Sequence, residues 1–231
     1  MAKTRGGAIV GQVSGSVGSN TFSRNRFGTY IRNRSIPINP NSSFQQNVRS
    51  VFANQSSGWQ VLLAAQKEAW KTWAQNNPVT DAFGDQQVLT GHQAYIQLNS
   101  RIGQAADTII GVPPVTGAPA GLLSLTATYD IGAGTSVLTF TAAPLAATQR
   151  MFLWGALVDS KGITYVKNRY KLIAITAKTL ATGYDYQTSM EARFGTMLVG
   201  QCVHLMACVY ESTSGLVSIG RQTNGVVIST P

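Results

Sequence analysis

The spacing of hydrophobic residues predicts helices in the first half of the chain. From Phe44 to Leu63, apolar side chains recur at intervals of three, four and seven residues, as on one face of an α-helix. The helix is expected to begin at Ser43, because Ser43 and Gln46 have the spacing of a capping box. Gly58 is expected to break or bend this helix, since glycine is a poor helix former.

Two more helices are predicted before the pattern changes. One covers about residues 65–76, contains Trp70 and Trp73, and ends before Pro78, which cannot continue a helix. The other covers about residues 91–102. Three short helices around a few tryptophans bury little apolar surface, so this segment is not expected to fold alone.

After residue 120 the pattern becomes that of β-strands. About seven short runs of β-branched and aromatic residues follow one another, and Gly, Pro, Asp and Asn separate them. Such a series over about 110 residues is typical of an immunoglobulin-like or fibronectin-like sandwich. The Cys–Trp–Cys arrangement of antibody domains is absent from the sequence, so a domain of that type is not implied.

The sequence predicts an α+β protein in four parts. An extended, basic β-arm occupies residues 1–40, where the prolines at 37 and 40 favour extended backbone in the residues before them. A small helical anchoring segment follows at residues 41–103, and a Pro/Gly linker at residues 104–120. The all-β sandwich, Ig-like or fibronectin-like, occupies residues 121–231.

Positive charge is concentrated at the start of the chain. The net charge is +9, and residues 1–67 contain eight lysines and arginines but no acid, whereas nine acids are set against the remaining ten bases. Only 12% of the residues are charged, compared with about a quarter in an ordinary soluble domain, so much of the surface is neutral. This asymmetry predicts an interaction segment with an acidic partner, either nucleic acid or an acidic protein surface.

The densest basic stretch is SRNRFGTYIRNR, residues 23–34. Taken as a single strand with a period of two, it carries the four arginines on one face and a small apolar set on the other. We therefore predict a partner-binding arm. Its residues are Arg24, Arg26, Phe27, Tyr30, Ile31, Arg32 and Arg34.

Two kinds of partner fit this arm. Arginines interleaved with aromatic residues occur in proteins that bind single-stranded nucleic acid. An arm whose arginines meet carboxylates and backbone carbonyls of a neighbouring subunit has the same composition. The second interpretation is favoured, because phosphates would not cover the apolar face.

No motif predicts catalysis, and no catalytic residue, cofactor or metal site is expected. The chain lacks a G-x-S-x-G elbow and a phosphate-binding loop. Cys202, His204, Met206 and Cys208 share one face of a predicted strand and could offer three metal ligands, but burial as small hydrophobes explains them better. A hydrolase or metal enzyme is therefore only a third hypothesis, which bound zinc would support.

No segment predicts export or insertion into a membrane. The opening MAKTRGGAIVGQVSG lacks the apolar core of a signal peptide. No run approaches the roughly 18 apolar residues that a membrane span needs. We expect a soluble protein that is made in the cytoplasm and has no membrane partner.

The order of these motifs resembles a loosely related group of tailed-phage and prophage virion proteins. In that group a Gly-rich, basic hairpin ending in R-x-R-x-I-P-x-N-P precedes a helical Q-x-x-x-R-x-x-F segment with tryptophans, and an Ig-like or fibronectin-like domain often follows. The resemblance spans most of the chain. The matching residues are Gly11, Gly18, Arg24, Gly28, Arg32, Arg34, Pro37, Asn39, Pro40, Gln46, Arg49, Phe52, Trp59, Leu62, Ala69 and Trp70.

The resemblance implies a non-enzymatic structural protein of the virion, assembled in the host cytoplasm. Its most concrete form is a capsid decoration or cement protein. The arm would anchor it to the major capsid protein or another virion subunit, and it would be a homo-oligomer in the particle. A tail, neck or fibre component is one alternative, and a nucleic-acid-binding protein that uses the Arg-rich arm is another.

Overall fold

Two compact units make up the chain, Met1–Gln46 and Asn47–Pro231. The computed structural model describes residues 2–3, 15–25, 28–35, 39–80, 85–132, 134, 136–141, 145–181 and 183–229. Helix α1 (Ser43–Val61) begins in the first unit and ends in the second. Helices and antiparallel sheets together give a mixed α+β protein, as predicted.

The first unit contains a small antiparallel sheet in the order β1–β4–β3–β2. Its strands are β1 (Ala2–Lys3), β2 (Gly15–Val17), β3 (Asn20–Asn25) and β4 (Gly28–Asn33). Val17 pairs with Asn20 across a two-residue turn. The first turn residue, Gly18, has φ +58°, which suits the type II′ turns of tight hairpins.

Residues 23–34 form a hairpin, so the prediction of a single strand is wrong. Asn25 pairs with Gly28, and the chain therefore reverses between these two residues. The sequence pattern does not reveal where the chain reverses, because its alternation is compatible with one uninterrupted strand. Positions 26 and 27 themselves lie outside the described residues.

The second unit starts with a group of helices that pack around Trp70. Helices α2 (Ala64–Asn76) and α3 (Gly91–Gln104) have nearly the predicted bounds. Two short paired strands, β5 (Val79–Thr80) and β6 (Gln86–Gln87), lie between them in the chain. The buried residues are Trp70, Ala74, Ala94, Tyr95 and Leu98, with Trp59, Leu62, Trp73, Ile96, Ile110 and Leu216 packed against them.

Side-chain caps are present at the starts of α1 and α3, and the cap of α1 lies one residue before the predicted one. In α3 the Thr90 hydroxyl accepts a hydrogen bond from the Gln93 N–H, and the Gln93 side chain accepts one from the Thr90 N–H. In α1 it is the Ser42 hydroxyl, and not that of Ser43, that accepts from the Gln45 N–H, at 3.4 Å.

Gly58 does not interrupt α1, which corrects the prediction of a break there. A Cβ atom at this position would lie 2.8 Å from the Tyr95 hydroxyl oxygen. Glycine thus lets α1 approach α3 closely. This packing outweighs the helix-propensity cost of glycine, which is about 1 kcal/mol.

Among the described residues, seven strands and a short helix follow α3 in the second unit. They are β7 (Ser124–Ala127), β8 (Val137–Thr141), β9 (Gln149–Val158), β10 (Lys171–Ile175), β11 (Tyr184–Asp185), α4 (Gln187–Phe194), β12 (Cys202–Glu211) and β13 (Arg221–Val226). One sheet has the order β10–β9–β12–β13 and the other β11–β8–β7. These seven strands thus form two antiparallel sheets, one of four strands and one of three, and the Ig-like or fibronectin-like assignment stays a prediction.

The two longest strands, β9 and β12, pair over ten residues and are covered on both faces. Their odd-numbered residues, such as Leu153 and Leu205, share the main core with Leu138 and Phe140 of the opposite sheet. Because successive residues of a strand point to opposite faces, the even-numbered residues lie outside this core. Strands that are covered on both faces have nearly continuous apolar sequences, and the sequences of β9 and β12 are of this kind.

The outer face of β9 and β12 is covered by the end of α3. Ile102 packs with Phe152, Cys208 and Tyr210 of the sheet. The Phe152 and Tyr210 rings stack with their centroids 4.7 Å apart. The helices and the sandwich therefore share buried surface within the second unit.

The start of the predicted linker is held by hydrogen bonds. The Asn99 side chain exchanges two of them with the backbone of Ile110, at 2.9 and 3.0 Å. Trp70 Nε1 donates to the Gly111 carbonyl at 3.0 Å. This part of the chain packs against the helices, while the four-part division of the chain stays a prediction.

Replacement of Gly215 by alanine is expected to lower the free energy of unfolding by at least about 2 kcal/mol. Gly215 connects β12 to β13 with φ +72°, and a Cβ atom there would lie 2.8 Å from the Leu98 carbonyl oxygen. Both the left-handed backbone and the contact with the α3 backbone oppose a side chain. Urea denaturation measures the loss.

Gly117→Ala is the matched control. A Cβ atom at Gly117 would have no other atom within 4 Å, and the backbone there is not left-handed. The change in the free energy of unfolding should stay below about 0.5 kcal/mol. Equal effects of the two substitutions would contradict the close packing of α3 on the β12–β13 connection.

Candidate partner-binding surface

The register of the first unit's sheet gives it two different faces. Phe22 pairs with Ile31, while Thr21 pairs with both Ser16 and Arg32. Residues opposite one another in an antiparallel pair share a face, and successive residues alternate. Phe22 and Ile31 therefore lie on one face, and Thr21 and Arg32 on the other.

We call the first of these the apolar face, after its residues Val17, Phe22 and Ile31; Asn20, Asn33 and position 24 lie on the same face. Val17 is 70% exposed, and Phe22 and Ile31 are half-buried. Among the described side chains of residues 15–35, none is buried. The described part of the sheet thus has no core of its own.

We call the opposite side the polar face. Its members with described side chains are Ser16, Thr21, Ser23, Tyr30 and Arg32. The Ser16 and Thr21 hydroxyl oxygens are 2.9 Å apart and hydrogen-bonded. Tyr30 is half-buried and Arg32 is exposed. Hydroxyls, a phenol and a guanidinium make this face suited to hydrogen bonding.

Four of the seven predicted arm residues have described side chains. Ile31 lies on the apolar face, and Tyr30 and Arg32 on the polar face. Arg34 is exposed just after β4, and its backbone N–H donates to the Ser19 carbonyl. Their part in binding a partner stays a prediction.

The remaining three predicted residues are less fully placed. Arg24 belongs to β3, where its backbone pairs with Thr29, while Arg26 and Phe27 lie outside the described residues. The register puts positions 24 and 32 on opposite sides of the sheet. The single cationic stripe predicted from the sequence is therefore wrong, since the hairpin turn reverses the alternation.

A cleft of about 390 Å³ lies at the amino end of α3. It is lined by Trp59, Lys71, Gln75, Val88, Leu89, Thr90, Gly91 and His92. The ring centroids of Trp59 and His92 are 5.3 Å apart, and Lys71 Nζ is 2.7 Å from a Glu68 carboxylate oxygen. With apolar walls and an ion-paired lysine, this cleft resembles a packing groove more than a catalytic site.

Asp107 joins the chain after α3 to the sandwich. Its carboxylate accepts hydrogen bonds from Arg150 Nε and Nη2, both at 3.1 Å, and lies 3.1 Å from Lys178 Nζ. Burial alone would raise the pKa of Asp107, but the hydrogen bonds and charges of Arg150 and Lys178 outweigh burial and hold the pKa below its ordinary value. A carboxylate whose two oxygens are engaged in this way is suited to a structural role and poorly suited to proton transfer.

The cysteines and His204 lie on the outer face of β12, as the strand pattern predicts. Cys202 Sγ is 3.6 Å from His204 Nε2, whereas Cys208 packs with Ile102 and Phe152. Burial raises the pKa of both thiols, that of Cys208 to about 11, and lowers the pKa of His204. Among the described residues, no three His, Cys, Asp or Glu side chains are grouped so that they could hold a metal ion.

Within the part of the chain that the structure describes, no helix has the length and apolar character needed to cross a membrane.

A solved structure similar to part of the chain is an Fn3-like protein from Clostridium thermocellum. The match covers 50% of this chain and 97% of that one, with 18% sequence identity and a TM-score of 0.30. No protein-family model matches the sequence, and no curated protein matches it. At this level of similarity, nothing about function is transferred.

The variant Asp107→Asn is expected to lose about 3 kcal/mol of unfolding free energy at neutral pH, since it leaves Arg150 and Lys178 without their partner. The pKa of Asp107 in the folded protein lies below its ordinary value of 3.8, so its contribution is present above pH 3.8 and is lost as the pH falls through the folded-state pKa. The wild-type protein should therefore show a loss of stability below pH 3.8 that the variant lacks. Urea denaturation across this range measures it.

Glu68→Gln serves as the control for this variant. Lys71 and Glu68 also form an ion pair, but their side chains are 58% and 68% exposed. Such a surface pair contributes less than about 0.5 kcal/mol. The structural role of Asp107 would be contradicted if both variants lost the same small amount.

Neither cysteine should react readily with a thiol reagent while the protein is folded. Cys202 is 1% exposed and Cys208 is 5% exposed, and their raised pKa values keep both thiols protonated near neutral pH. Labelling in native buffer should be at least about 100-fold slower than in guanidinium chloride, because it requires opening of the structure. Rapid native labelling at either position would argue against a covered outer face of β12.

Proposed function

We propose that this chain is a non-enzymatic structural protein of a phage virion, most concretely a capsid decoration or cement protein that its first unit anchors to the shell. The observation that carries the proposal is the incomplete sheet of that unit. None of its described side chains between residues 15 and 35 is buried. Residues 1–46 also contain six lysines and arginines and no acid. A unit of this kind needs a partner to complete it.

The second unit supports the same proposal. Its two sheets enclose a core of buried residues, so this unit does not need a partner to complete its core. The low charged fraction of the chain, 12%, suits a protein that packs among neighbouring subunits. The resemblance to virion proteins described above rests on the first unit and on the helices.

In this proposal the partner is the major capsid protein or another virion subunit, and the protein is a homo-oligomer in the particle. Weak contacts from each arm gain strength when particle symmetry repeats them. A position in the tail, neck or fibre would use the same attachment. A copy number that follows icosahedral symmetry supports the shell, whereas one that follows threefold, sixfold or twelvefold symmetry supports the tail or neck.

Removal of residues 1–40 is expected to weaken binding to capsids assembled without this protein by at least about 100-fold, because the attachment and its multivalency are lost together. The truncated chain should unfold at a denaturant concentration close to that of the full chain, since the second unit has its own core. Co-sedimentation with the capsids measures binding, and urea denaturation serves as the control for folding.

Unchanged binding and particle stability after the truncation would contradict the proposal. The nucleic-acid alternative would instead be supported if the full chain bound single-stranded nucleic acid and the logarithm of its affinity fell with the logarithm of the salt concentration at a slope of about −4. In that alternative four arginines neutralise phosphates. A response to salt that is nearly flat would exclude that alternative.

A further inference from the structure

The apolar face of the first unit's sheet holds a cross-strand pair that remains incompletely covered. Phe22 and Ile31 are opposite one another on β3 and β4, and both are half-buried. Pairs of an aromatic and a β-branched residue stabilise a hairpin, but a small sheet also needs a covered hydrophobic face to be stable. Val17, 70% exposed on the same face, extends the surface to be covered.

The charge of the unit indicates what surrounds this face in a complex. The six bases and no acids of residues 1–46 favour a partner that carries carboxylates. Protein interfaces commonly combine an apolar centre with a polar rim. By register, position 24, which holds Arg24, lies on the apolar face itself, so an apolar patch rimmed by carboxylates is complementary to this face.

Nucleic acid can use groups on either side of the sheet, since bases stack on aromatic rings and phosphates pair with arginines. Tyr30 and Arg32 offer such groups on the polar face, while Phe22 and the register position of Arg24 lie on the apolar face. Val17 and Ile31 are aliphatic, and phosphates would leave them uncovered. These aliphatic residues therefore favour a protein partner on the apolar face.

We propose that the apolar face, through Val17, Phe22 and Ile31, binds a virion protein whose contact surface has an apolar centre and a carboxylate-rich rim. The polar face remains directed to solvent in this complex. The proposal rests on the function proposed above, and it adds Val17 and Phe22 to the binding residues while removing Tyr30 and Arg32 from direct contact.

Photo-crosslinking compares the two faces within the full-length protein. Benzoylphenylalanine replaces Phe22 in one variant and Tyr30 in another, so that an aromatic residue is exchanged for an aromatic probe on each face. Both positions are half-buried and lie on adjacent strands. After irradiation on capsids assembled without this chain, the probe at position 22 should link to a capsid protein, and the probe at position 30 should not.

Affinities for the same capsids provide the second measurement. Phe22→Ser should weaken binding by at least about thirtyfold, as expected for a central apolar contact. Phe22→Leu should restore most of the affinity, because it keeps an apolar side chain and the sheet. Tyr30→Ser, which alters the sheet to a similar extent, should change affinity by less than about threefold.

The outcomes separate this inference from the proposed function. If the wild-type protein does not bind capsids, the proposed function fails. If the wild-type binds but the crosslink forms at position 30, or forms to nucleic acid, the inference is overturned while binding stands. Equal losses in Phe22→Ser and Tyr30→Ser, or no rescue by Phe22→Leu, would also overturn it.

Discussion

The pairing of β9 with β12 is the contact on which the rest of the second unit depends. Ten register pairs place apolar residues on both faces of these strands, so each face has to be covered. The opposite sheet covers one face, and the end of α3 covers part of the other. Ile102 at the end of α3 is buried against this second apolar face, which adds buried surface to the small core that the helices form around Trp70.

An element of this fold can be predicted from the sequence where a single local rule determines its type or its bounds. The end of α2 follows from Pro78, α3 has nearly the bounds expected from its sequence, and the strands after residue 120 follow from the series of β-branched runs. Gly58 could not be predicted correctly, because the close approach of Tyr95 is a tertiary contact. The Asp107 ion pairs likewise join residues that are distant in sequence, such as Arg150, 43 positions later.

The candidate surface was predictable only in part, because a strand's faces depend on where the chain turns. The excess of arginines in the first unit is evident from composition alone. Their arrangement on the two faces is not, since the alternation of residues 23–34 does not show where the chain reverses. Phe22 was missed for this reason, although its alternation with Thr21 and Ser23 is visible in the sequence once the pairing with β4 is known.

The unequal burial of the two units has a consequence for hydrogen exchange and for assembly. Amides of β9 and β12 are protected by a core covered on both sides, so their exchange requires global unfolding. Amides of β2, β3 and β4 lack such cover and exchange through local opening. If a partner covers the apolar face as proposed, the exchange of these amides slows on binding, so hydrogen exchange reports assembly at the first unit.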